Sequence, residues 1–216
     1  SSTVINAGRI DTEGLEASLT FNILKGDNDG VRWSMTNNFT AYETTVVDLP
    51  VERVNVAGGV NFAIEGQPYG IFRGSYAVKD DAGNRLIDPV TGKIIFSDEL
   101  GLEDEIIGDP NEDWRLTNIN TVSYKNFSLS MQWEYVHGGD IYSVSAATLL
   151  TRGVTRDTED RERSYIIPGV LGDPNTGEAL LDADGNKIKN NIQIGANDLY
   201  FINLMSVDEN LVYDAS

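Results

Sequence analysis

Along four stretches of the chain, 14–24, 31–42, 114–124 and 127–137, apolar and polar residues alternate with a period of two. Successive side chains of a β-strand point to opposite faces, so each stretch predicts a strand with one greasy and one wet side. Leu15, Ala17, Leu19, Phe21 and Ile23 share one face, as do Val31, Trp33, Met35, Phe39 and Ala41. Trp114, Leu116, Val122 and Tyr124, then Phe127, Leu129, Met131, Trp133 and Tyr135, repeat the pattern, with Asn37, Asn118, Asn120 and His137 as its polar members. The opposite face is built from Ser, Thr, Asn, Gln, Arg and Glu, broken only by Leu24, Tyr42, Ile119 and Val136. Each stretch has about the 9 to 11 residues that a tilted strand needs to cross a bilayer.

The connections between these stretches alternate between short and long. Lys25–Gly30 and Lys125-Asn126 read as tight turns, whereas 43–113 and 138–210 hold 71 and 73 residues before Leu211-Val212-Tyr213 can begin a further strand. Structureless stretches of that length count against a compact soluble domain. Outer-membrane barrels have this asymmetry by construction, with short turns on one side and long loops on the other. The expectation is an all-β chain: an antiparallel transmembrane β-barrel segment of about four strands plus the start of a fifth, with two long, partly structured extracellular loops. Alternation alone also fits a soluble or surface-anchored β-sandwich that binds carbohydrate or mediates adhesion. Such a sandwich would divide the strands between two packed sheets.

Charge and aromatic placement sharpen the picture. Of 34 acidic residues only Glu16 and Glu134 fall inside the four stretches, both on the polar face. Trp33, Tyr124 and Phe127 sit near the short turns, and Phe39, Tyr42, Trp114, Trp133 and Tyr135 near the long loops, where two aromatic girdles belong. A net charge of −18 without a basic patch argues against a nucleic-acid partner, because phosphate contacts need Lys and Arg. No apolar run approaches the roughly 20 residues of a membrane-spanning helix, and any export signal is expected outside this segment. Zero Cys and a single His137 leave no thiolate, multi-His or Ser-His-Asp constellation to assemble, so no catalytic residue, metal site or cofactor is expected. His137 reads as an interfacial residue ending a strand.

The long loops carry turn chemistry. Asp80-Asp81-Ala82-Gly83-Asn84, Asp88-Pro89-Val90-Thr91-Gly92, Asp173-Pro174-Asn175-Thr176-Gly177 and Asp182-Ala183-Asp184-Gly185-Asn186 predict small ordered hairpins. The last invites a calcium reading, but Lys187 and Gln193 stand where an EF-hand loop needs Gly and a bidentate Glu, which leaves a turn with solvated carboxylates. Tyr69, Phe72, Tyr76 and Tyr142 are the loop aromatics best placed to meet a ligand or a partner protein. Their alternative role is to pack the loops together.

Several segments carry a family resemblance. The strand entry Asn6–Leu19, the loop element Glu65–Gly74, Ile107–Trp114 and the hairpin Tyr124–Ser130 resemble elements of SusC/RagA-type TonB-dependent outer-membrane receptors. Gly138–Tyr142, Pro168–Val170 and Val212–Ser216 follow in the order of that family. Glu112, where the family usually has Pro, and the Thr117-Asn118 step, where Gly is common, depart from the pattern. The resemblance implies the central to late barrel of a 22-stranded, plugged importer of the cell outer membrane, with the plug domain and TonB box outside this chain. It further implies uptake of oligosaccharides, glycan fragments or peptides, coupling to the TonB complex, contact with outer-membrane lipid, and a SusD-like surface lipoprotein over the outer face.

Overall fold

The computed structural model describes residues 8–27, 30–196, 198 and 207–216. Asn6 and Ala7 of the strand-entry motif, and Asn28 and Asp29 of the first tight turn, lie outside the described residues. The strands are β1 (Arg9–Lys25), β2 (Val31–Asp48), β3 (Arg53–Asn55), β4 (Asn61–Ile64), β5 (Ile71–Gly74), β6 (Leu86–Ile87) and β7 (Glu105–Gly108). They continue with β8 (Trp114–Tyr124), β9 (Phe127–His137) and β10 (Asp140–Tyr142). After helix α1 (Val144–Thr151) come β11 (Ser164–Tyr165), β12 (Val170–Leu171), β13 (Ile194–Gly195) and β14 (Val212–Asp214). The fold is all-β, and among the described residues no helix is long and apolar enough to cross a membrane.

The chain divides into two compact units. The sheet unit comprises Ser1–Ile71, Asp109–Asp140 and Asp214–Ser216; the loop unit comprises Phe72–Gly108 and Ile141–Tyr213.

In the sheet unit β1, β2, β8 and β9 form one continuous antiparallel sheet in that order. A sandwich would have split them. The register pairs Leu19 with Asn37, Asn37 with Asn118 and Asn118 with Trp133, while Phe21, Met35, Asn120 and Met131 form the next row of the same face. Ser18, Thr20, Thr36, Ser130 and Gln132 lie on the other. Lys25 pairs with Arg32, Val31 with Tyr124, and Tyr124 with Phe127, so both tight turns lie at one end of the sheet. Between Asn22 and Leu24 the register slips by one residue, from Asn22–Ser34 to Leu24–Trp33. That bulge carries Leu24, an exception in the sequence pattern, onto the apolar row of Trp33.

β1 and β2 run farther than the alternating stretches. Their extensions take in Asp11, Glu13, Glu43 and Asp48, and they pair with each other up to Arg9–Asp48, beyond the end of β8. Backbone pairing rather than burial of one face holds these extensions, which is why no period of two marks them. Val46 is their one fully buried apolar side chain, beneath a chain crossing in which Val46 donates to Gln67 O and Gly66 donates to Val46 O.

The core of the loop unit is built on the same device twice. Val78 N–H donates to Ile95 O (3.0 Å), Ile95 to Leu86 O (2.9 Å) and Leu86 to Val78 O (2.9 Å), which closes a ring of three segments. Leu171 N–H donates to Ile188 O (2.7 Å), Ile188 to Leu180 O (3.0 Å) and Leu180 to Leu171 O (2.8 Å), closing a second. In the first ring an Asp80–Asn84 turn precedes an Asp88–Lys93 turn. In the second an Asp173–Glu178 turn precedes an Asp182–Asn186 turn, so the two turn types exchange order. Asp80 Oδ1 accepts the N–H groups of Ala82 and Asn84 just as Asp182 Oδ1 accepts those of Asp184 and Asn186. Here the sequence pattern of small hairpins is met, with each hairpin pair closed on itself so that its short strands leave few open edges. The rings join through parallel pairing of Val170-Leu171 with Leu86-Ile87. Val78, Leu86, Ile95 and Val170 form the apolar cluster between them.

Candidate functional site

The sheet presents two chemically opposite surfaces. On the wet face hydroxyls and amides pair across strands: Ser18 Oγ donates to Asn38 Oδ1 (2.7 Å), and Thr20 and Thr36 share a hydrogen bond of 3.0 Å. Arg115 binds Glu134 at 2.6 Å and Glu112 at 2.7 Å. The greasy face is open, with Leu19 61% and Phe127 79% exposed and Leu15, Leu129, Trp133 and Tyr135 exposed alongside. A contiguous apolar surface of this kind marks contact with lipid or protein.

At the end away from the tight turns, Trp114 lies 6.0 Å from Phe39, 5.2 Å from Tyr135 and 5.3 Å from His137, ring centre to ring centre. His137 thus joins an aromatic band. The amides on the greasy face satisfy one another: Trp33 Nε1 donates to Asn120 Oδ1 (2.9 Å), Asn120 Nδ2 to Asn118 Oδ1 (2.5 Å) and Asn118 Nδ2 to Asn37 Oδ1 (2.6 Å). Chained this way, three polar residues can stand on an apolar surface without orphaned donors inside it.

The four loop aromatics are placed differently from one another. Tyr69 belongs to the sheet unit and is exposed, its N–H donating to Thr44 O and its carbonyl accepting from Asn111 Nδ2. The other three belong to the loop unit. Phe72 is buried edge-on against Tyr142, with ring centres 6.3 Å apart. Tyr142 Oη donates to Asp208 Oδ1 at 2.6 Å. Tyr76 is half-buried beside the Glu105 carboxylate, and burial together with that charge pushes its phenol up.

Sequence reasoning missed the two residues that tie this region together. Asp208 Oδ2 accepts from both the N–H and the Oγ of Ser75, each at 3.1 Å. A Cβ on Gly74 would sit 2.6 Å from the Asp208 side chain, so only glycine admits the approach. Glu209 accepts from Ala77 N–H (3.0 Å) and from Lys79 Nζ (2.6 Å). More than 130 residues separate these partners, and a short acidic pair after a long loop carries no local signal.

Burial and the bond to Asp208 push the Tyr142 hydroxyl up to about 12 from its ordinary 10. A raised pKa means that the folded state holds the proton more tightly, so the stabilisation is complete below pH 10 and is lost as pH climbs from 10 towards 12. Asp208→Asn is expected to bring the midpoint partway down, since burial is the larger cause. Site-labelled tyrosine NMR across that range measures it; an unmoved midpoint would show that Asp208 does not act on the ring.

Two hollows accompany these residues. In the sheet unit a cavity of about 380 Å³ is lined by Tyr42, Pro68 and the carboxylates of Glu13, Glu43, Asp109 and Asp113. In the loop unit a cleft of about 430 Å³ lies between Tyr76–Lys79 and Glu105–Ile107, with Glu209 at its side. No cluster of three or more His, Asp or Glu among the described residues is arranged to hold a metal ion.

An open, two-faced antiparallel sheet joined to a separately cored loop unit defines the class of fold. Among solved structures the chain is similar to the RagAB peptide transporter, with a TM-score of 0.53 and 16% identity over 80% of this chain. The match spans 21% of that longer chain, and at this identity the likeness is one of fold. No family model and no curated protein matches the chain.

Proposed function

We propose that this chain is a barrel-wall and loop segment of a SusC/RagA-type, TonB-dependent outer-membrane importer of oligosaccharides or peptides that works with a SusD-like surface lipoprotein. The observation that carries the reading is the single four-stranded sheet, with its greasy face exposed, its wet face hydrogen-bonded and both tight turns at one end. Eleven-residue β8 and β9 are about 36 Å long, and a tilt near 45° brings their rise to roughly the 25 Å of an outer-membrane apolar band. The fold likeness to a peptide transporter and the ordered SusC/RagA-like motifs support the same assignment.

In this reading the sheet faces lipid with Leu19, Phe21, Met35 and Met131, and faces the lumen with its hydroxyl ladder. The loop unit stands at the extracellular mouth. Segments 66–76 and 138–170 contribute to the surface beneath the lipoprotein, with Tyr69, Phe72, Tyr76 and Tyr142 as the aromatic candidates.

Topology is directly testable because the chain contains no cysteine. In the full-length protein expressed in its own cells, Val90→Cys in the loop unit should react with a membrane-impermeant maleimide on intact cells. Asn126→Cys in the tight turn should react only after the outer membrane is permeabilised. Equal labelling of both, or the reverse order, would remove the barrel reading.

A further inference from the structure

The cleft of the loop unit lies where one chain segment changes partners. Through Gly74 the segment pairs with β7, Gly74 opposite Glu105. Two residues later it has turned to the next neighbour, with Ser97 N–H donating to Tyr76 O and Ala77 paired with Phe96. The two chains splay apart at that point, and the opening between them is the cleft lined by Tyr76, Ala77, Val78, Ile106 and Ile107, with Lys79, Glu105 and Glu209 as its charges.

Its polar groups are unequally committed. Both oxygens of Glu209 are engaged within the chain, by Ala77 N–H and by Lys79, and that ion pair neutralises itself. Glu105 lies beside the Tyr76 hydroxyl, and among the described residues no Lys or Arg pairs with it. The cleft therefore offers one uncompensated carboxylate against a wall that is mainly aliphatic, with Ile106 49% exposed. β7 adds a second feature: it pairs with β5 on one side, and among the described residues no strand covers its other edge.

A pyranose ring suits this site poorly. Sugar hydroxyls need several free planar polar groups around an aromatic face, and here a single carboxylate is free. An anion is disfavoured by Glu105 and by the chain's net charge of −18. An extended peptide matches each element, because a strand edge offers backbone hydrogen bonds while alternate side chains find a pocket.

We infer that the cleft between Tyr76–Lys79 and β7 binds an extended peptide, seating a Lys or Arg side chain against Glu105 and an adjacent apolar side chain against Val78, Ile106 and Ile107. The inference deepens the import reading, on which it rests for the ligand's arrival, by choosing peptide over oligosaccharide and naming the subsite.

The test uses the full-length protein purified in detergent and three probes: a fluorescein-labelled heptapeptide with a central Leu-Lys-Ile, its Lys-to-norleucine analogue, and maltoheptaose as competitor. The wild type is expected to bind the lysine peptide about tenfold more tightly than the norleucine peptide, the scale of one partly exposed charge contact. Glu105→Gln should abolish that preference while keeping affinity for the norleucine peptide, which shows that the variant is folded. Ile106→Ser should weaken both peptides, and Glu105→Lys should reverse the preference towards a peptide with Glu in place of Lys. Equal binding of the two peptides by the wild type, or a lysine preference that survives Glu105→Gln, overturns the assignment. Maltoheptaose displacing the peptide in the wild type and failing to do so in Ile106→Ser would overturn it in favour of a sugar. Because this assay reads binding in detergent and the maleimide assay reads membrane topology, failure of one is distinguishable from failure of the other.

Discussion

Leu19→Arg is expected to cost about 2–4 kcal/mol, the penalty for a cation near the mid-plane on the lipid face of a barrel. Leu19 stands at the middle of the alternating part of β1, exposed on the greasy face and paired with Asn37. Its neighbour Thr20 points to the wet face, where its hydroxyl meets Thr36. Thr20→Arg would place the same charge in water and is expected to change stability by less than about 1 kcal/mol. Comparing the pair cancels differences in strand propensity and side-chain volume, since both introduce Arg at adjacent positions of one strand. Urea unfolding in lipid vesicles, together with the amount of folded protein reaching the outer membrane, measures the difference. Similar losses from both variants would mean that the greasy face is not in contact with lipid.

Ile95→Ala is expected to cost about 2–5 kcal/mol, as for other fully buried aliphatic truncations. Ile95 is 0% exposed, and its backbone closes the first hydrogen-bonded ring through both its N–H and its carbonyl. Its side chain packs with Val78, Leu86 and Val170, and its Cδ1 would lie 3.2 Å from a Cβ placed on Gly172. The cavity therefore opens at the seam between the two rings. Amide hydrogen exchange should show lost protection at Leu86 and also at Val170 and Leu171, which lie on the other ring. Loss confined to 78–95 would show that the rings open independently. Val90→Ala, at the tip of a turn where the side chain is 86% exposed, should leave exchange unchanged.

The sequence discloses the sheet because its physics is local and periodic. One face must be greasy and one wet, and a strand has no other way to arrange that than a period of two. The same logic hides the ends of β1 and β2. Residues Arg9–Glu13 and Glu43–Asp48 pair through their backbones alone, so nothing in their side chains repeats. Leu24 breaks the pattern for a different reason, since a bulge shifts the strand by one residue and bulges have no sequence period. In the loop unit the Asp and Gly turns are readable one at a time, as each is a four- or five-residue event with its own hydrogen bonds. Closure of three segments into a ring depends on pairings between residues such as Val78 and Ile95, which no local rule orders. Tyr76 stood out among the candidate residues as a loop aromatic. Glu105, Asp208 and Glu209 did not, being three of 34 acidic residues in a chain where acid is the ordinary surface.

The two closed rings separate what must stay constant in the loop unit from what can change. Each ring spends its hydrogen bonds inward, while the turn glycines Gly83 and Gly185 have only open space beside them. Insertions at those tips would lengthen an exposed excursion and leave all six ring bonds in place, and doubling such an excursion adds only about 0.6 kcal/mol of closure entropy. A surface presented to antibodies, phages and competing microbes can thus be rewritten at its tips, generation after generation, over an unaltered chassis.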